Sequence, residues 1–135
     1  MNVTGPIKVL IAANGTANGL LAGRVYPGII PHGTTFPAAA VTIVGGNGNE
    51  TKSGVSDTDA LRVQIDVYDS TYSGASEADE AIRGAIDFYA GAVTLPASGG
   101  TVTINSISFL GHQDGFEKNP ELYRKISEYR VRVRR

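Results

Sequence analysis

Residues 61–68 (Leu-Arg-Val-Gln-Ile-Asp-Val-Tyr) alternate apolar and polar side chains without a break. A period of two marks a strand with one buried face. Val63, Ile65 and Val67 are expected on the core side, with Arg62, Gln64, Asp66 and Tyr68 on the other. The spacing then turns helical almost at once. Ala75, Ala78, Ile82, Ala85, Ile86 and Tyr89 make one apolar stripe in a helix predicted over 72–89. Ser70 or Thr71 can cap it, and Gly91 is its expected exit.

The remaining pattern is read around that unit. Gly5-Pro6 suits a helix entry, and a short apolar helix follows to Ala13. Asn14-Gly15 ends it, and Ala17 to Leu21 adds a further turn. Residues 24–37 carry Pro27, Pro31 and Pro37 among glycines. Proline cannot donate to a ladder, so an irregular or extended arm is predicted there. Ala38 to Val44 is the first strand, and residues 45–59 are a long polar connection read as a mobile hairpin tip. Residues 91–100 are a turn-rich link with room for a short strand at Val93–Leu95. Thr101 to Leu110 forms the third strand, and its apolar phase slips between Ile104 and Ile107, which predicts a bulge. Gly111 to Pro120 reads as a polar connection, and Leu122 to Arg134 as the fourth strand. The expected fold is α+β: a single four-stranded sheet in chain order α-β-β-α-β-β, with helices packed on one face. Its 135 residues suit one domain, 1–135.

Composition narrows the function classes. Glycine, at 17 residues, is about twice its usual share of ~7%, so much backbone is expected in turns. Cysteine is absent, which removes disulfides, thiol nucleophiles and thiolate metal sites. No apolar run reaches the ~18 residues of a membrane span, and the start has no secretory pattern, so the cytosol is the expected place of synthesis and use. A net charge of −1 argues against general affinity for nucleic acid. The cations are unevenly placed, however: Arg124, Lys125, Arg130, Arg132, Arg134 and Arg135 all fall in residues 122–135, opposed there by Glu128.

Candidate chemistry is sparse. His32 and His112 are the two histidines, and both fall in expected loops; Asp114 and Glu117 follow His112 without a metal-binding spacing. Gly45-Gly46-Asn47-Gly48-Asn49 lacks the Lys-Ser/Thr ending of a phosphate loop, and no Gly-x-Ser-x-Gly elbow is present. Asp66, Asp69, Glu77 and Asp79 read more simply as a polar strand face and a helix start than as paired acids. No catalytic, cofactor-binding or metal residue is therefore assigned. The most suggestive feature is the row Arg130, Arg132 and Arg134 on one face of the last strand, at about 7 Å intervals. With Arg124, these arginines are the candidates to face a partner or a channel. A solvated face that discourages edge-to-edge pairing is the plainer reading.

Several ordered segments resemble the phage tail-completion family, the tail terminator or tail-to-head joining proteins of long-tailed phages. They are Gly23-Arg24-Val25-Tyr26-Pro27-Gly28, then Phe36-Pro37, then residues 62–68 with Thr71-Tyr72 and the alanine-rich helix. The last is Glu117 to Arg134, with Leu122-Tyr123-Arg124 and Tyr129-Arg130-Val131. The likeness runs over 7–135, and segments 45–59 and 91–100 carry none of it. It implies a non-enzymatic protein without cofactors that assembles as a homo-oligomeric ring, typically of six. The ring caps the tail tube protein, ends its polymerisation and meets the head–tail connector, while DNA passes through the opening. The implied place is the head–tail junction of the virion. An adaptor or stopper ring, or a small module binding nucleic acid or acidic partners through the arginines, are the competing readings.

Overall fold

The computed structural model describes residues 3–51, 54–118 and 121–134. Helix α1 spans Thr4–Ala13 and α2 spans Gly15–Leu21. The Asn14 side chain accepts a hydrogen bond from the Ala17 N–H at 3.0 Å and so caps α2, which explains the break between the two helices. Strands β1 (Val25–Pro27), β2 (Ala38–Thr51) and β3 (Gly54–Asp69) follow. Helix α3 (Tyr72–Ile86) leads to β4 (Gly91–Thr94), β5 (Thr101–Lys118) and β6 (Glu121–Arg134).

The strands form one sheet in the order β1-β2-β3-β6-β5-β4, with β1 parallel to β2 and every other pairing antiparallel. The sheet is thus six-stranded, mixed and curled, which overturns the expectation of four strands. Its curl is evident in α1, which reaches β1 and β2 at one end and β4 at the other. The two added strands are both edges. An edge strand needs partners on one side only, so Pro27 and Gly91 are tolerated there. Ala39 N–H donates to Arg24 C=O and Gly28 N–H to Val41 C=O, both at 2.9 Å, and these bonds tie the expected arm into the ladder at its start.

Two further expectations are corrected. The polar stretches 45–51, 54–59 and 111–118 are strand and not loop: β2 and β3 stay paired out to Thr51 and Gly54, and β5 stays paired out to Lys118. Their backbone bonds do not depend on side-chain type, and residues 112–114 and 116–118 of β5 are exposed on both faces, where no apolar alternation is required. Lys52 and Ser53, at the tip of the expected mobile loop, lie outside the described residues. Helix α3 also stops three residues before Tyr89. The chain leaves helical geometry at the extended Asp87, and Phe88 follows with a left-handed φ of 64°.

The period-two and helical readings hold elsewhere. Leu61, Val63, Ile65 and Val67 are buried beside Tyr129, Val131 and Val133. Against this face pack Ala78, Ile82 and Ile86 of α3, and Ile7, Ile11, Ala17 and Leu21 of the first two helices. Thr71 caps α3 by accepting the Gly74 N–H at 3.1 Å. The register shift between Ile104 and Ser106 is the expected bulge.

Candidate interaction surface

The helices cover one face of the sheet, and the arginine row lies on the other. On β6, Arg130, Arg132 and Arg134 are exposed while Tyr129, Val131 and Val133 between them are buried. Arg62 of β3 stands directly opposite Arg130. Like charges facing each other across a ladder repel. Arg62 turns to Glu128, donating from Nη2 to Oε2 at 2.7 Å. Among the described residues neither Arg130 nor Arg132 enters an ion pair, whereas Arg134 has interactions of its own.

Arg124 is placed differently. It lies lower on the same face, with Nη2 2.8 Å from Asp66 Oδ2 and its guanidinium 5.7 Å from the Tyr68 ring centre. Burial would lower its pKa, but the hydrogen bond and charge of Asp66 outweigh that and raise it. Gln64 donates to the other Asp66 oxygen at 2.9 Å. Arg124 is therefore held by its own sheet, while the upper arginines project from it.

Two features escaped the sequence reading. The first is a cavity of about 560 Å³ between segment 28–36 and the outer face, with Ile29, Ile30, Phe36, Tyr68 and Leu122 on its walls and His32 and Glu117 among its polar groups. The second is an aromatic cluster on the helix-side face of the β5–β6 ribbon. Phe116 pairs across the strands with Tyr123, their ring centres 5.1 Å apart, and Tyr72 meets Tyr123 edge-on at 5.9 Å. Beneath it, Lys125 donates to Asp114 at 2.6 Å and to the Tyr72 hydroxyl at 2.8 Å, and that hydroxyl donates to Asp114 at 2.9 Å. Hydrogen bonds from Lys125 and Tyr72 hold the Asp114 carboxyl below the usual range. Burial would lower the Lys125 pKa, but the bonds to Asp114 and Tyr72 raise it. Extending the alternation of β6 downward from Tyr129 would have placed Ser127, Lys125 and Tyr123 on this face.

The weaker candidates are dispersed. His112 is an exposed β5 residue whose ring lies 6.0 Å from that of Phe109. Asp114 shares its face, but Glu117 points to the opposite one. Asp79 accepts from Ser127 at 2.8 Å, and burial raises its carboxyl pKa. Asp66 and Asp69 are engaged elsewhere, by Arg124 and by the Ser70 N–H. Among the described residues no group of three or more His, Asp or Glu could hold a metal, and no helix is long and apolar enough to cross a membrane.

Comparison with known proteins completes the description. A family described as tail completion protein gp17 matches residues 8–134. No curated protein matches the sequence. Among solved structures, a chain of the virion of a native gene transfer agent particle superimposes with a TM-score of 0.69, covering 96% of this chain and 92% of that one at 16% identity. At that identity the likeness is one of fold.

Proposed function

Because the chain belongs to the family of tail completion protein gp17, a family of structural phage tail components, we propose that it acts as a tail terminator. In this reading the 1–135 unit closes into a ring, six copies being the expected number. The ring caps the tube of tail protein, stops its growth and offers its other side to the head–tail connector. It is assembled in the host cytoplasm and remains at the head–tail junction, with DNA passing through the opening. The observation that carries the reading is the family match along nearly the whole chain. In this reading Arg130, Arg132 and Arg134, exposed on the outer sheet face, pair with acidic residues of a neighbour across an interface, which keeps the lumen from being strongly basic. Arg124 is the anchored base of the same row.

A ring of identical subunits needs a heterologous contact whose rotation closes. A net charge of −1 suits a passage for DNA, since a strongly basic lumen would hold phosphates. The test is assembly of phage lacking this protein, imaged by electron microscopy. Tails of uncontrolled length are the expected result. Tails of normal length beside heads that leak DNA would point to a stopper or adaptor and overturn the terminator role. Salt-dependent DNA binding by a stable monomer, lost in Arg130→Ala and Arg132→Ala, would favour a nucleic-acid module instead.

A further inference from the structure

The end of the β5–β6 ribbon carries two unlike apolar patches back to back. On its helix-side face stand Phe116 and Tyr123, joined by Tyr72 of α3, respectively 50%, 37% and 49% exposed, which is a large area for three rings linked through Tyr123. On its outer face, Leu122 and Glu117 are the immediate chain neighbours of Tyr123 and Phe116. There they line the 560 Å³ cavity walled on its other side by Ile29, Ile30 and Phe36. One patch presents exposed rings and the other is a groove. Each can receive the other.

We propose that these patches join successive copies of the chain, the Phe116–Tyr123–Tyr72 knob of one subunit entering the groove under segment 28–36 of the next. This deepens the ring reading and rests on it. Three observations favour a second copy as the occupant. The cavity volume lies within the ~300–1,000 Å³ of sites that take up a compact apolar group, which leaves room for aromatic rings. Each subunit presents both halves on opposite faces of one ribbon, so every copy added leaves a fresh knob and a fresh groove, as heterologous growth requires. The knob is also preset, because the Lys125–Asp114–Tyr72 hydrogen bonds fix the Tyr72 ring at its base and less side-chain freedom is lost on docking. Three half-exposed aromatic side chains supply roughly 250 Å². That is about a third of the ~800 Å² per partner in a stable contact, so the knob is an anchor within a wider interface.

The absence of cysteine makes the test direct. Ile29→Cys at the groove and Lys118→Cys on the knob face, both exposed and outside the aromatic anchor, are made separately, then mixed under oxidising conditions, with wild type followed by sedimentation in parallel. The expected result is a disulfide dimer from the mixture and none from either protein alone. In addition, Phe116→Ser should weaken self-association by at least about thirtyfold, the usual effect of losing an interfacial aromatic anchor. An oligomer in wild type, unchanged in Phe116→Ser and without cross-links, would overturn this contact while leaving the ring reading intact. A wild type that stays monomeric at high concentration and on tail tubes would overturn both. Normal oligomers of Phe116→Ser that fail to join tails would assign the knob to another tail component and also refute the proposal.

Discussion

Tyr129 is fully buried at the centre of the sheet, yet its hydroxyl has no hydrogen-bond partner among the described residues. Its ring packs edge-on against Phe109 with centres 5.6 Å apart. Burial, reinforced by the charges of Asp79 and Asp87, pushes its pKa far above the usual phenol range. The substitution Tyr129→Phe keeps the ring and removes the oxygen. A buried, unsatisfied hydroxyl costs about 1–3 kcal/mol. The void left by one oxygen, roughly 10–15 Å³, returns only about 0.3 kcal/mol of that at ~24 cal/mol per Å³. The variant should therefore be more stable than wild type by about 1–2 kcal/mol. In urea, with a slope near 2 kcal/mol/M, the midpoint should rise by roughly 0.5–1 M at unchanged slope. Circular dichroism at matched, low protein concentration gives this number free of any contribution from self-association. A loss of stability greater than about 0.5 kcal/mol would show that the hydroxyl is bonded in solution and would refute the reasoning.

Three further predictions follow from single contacts. Thr71→Ala removes the acceptor for the Gly74 N–H at the start of α3 and should cost about 1 kcal/mol in the same titration, with the fold retained. Arg130→Ala relieves the repulsion with Arg62 across the ladder, so monomer stability should stay within about 0.5 kcal/mol while assembly onto tails falls; a large stability loss would show that Arg130 belongs to the fold. The acid limb of stability should carry two opposite signs. Asp114 is depressed, so its contribution is complete above the unfolded value near ~3.9 and is lost as pH falls through the lower folded value, and Asp114→Asn should flatten that loss. Asp79 is raised by burial, so its contribution is greatest below ~3.9 and is lost as pH rises through the folded value; Asp79→Asn should exceed wild type at pH 7 and match it near pH 3.

The sequence by itself determined the parts in which one face is buried and the other is wet. There the side chains must follow the period of the backbone, so Val63, Ile65 and Val67, the stripe of α3, the Ile104–Ile107 bulge and the two faces of β6 were all legible. The family resemblance was legible in the same segments, and with it the tail-completion role. Only the tertiary structure decided the extent of the sheet. Short edge strands such as Val25–Pro27 and Gly91–Thr94 are held by backbone bonds on one side, and the far end of β5 is exposed on both faces. In neither place does burial impose a pattern on residue type. The same reason hid the aromatic knob and the groove: Phe116 and Leu122 are unremarkable until β5 is seen to continue to Lys118. That continuation puts Phe116 beside Tyr123 and Glu117 beside Leu122 on opposite faces of one ribbon.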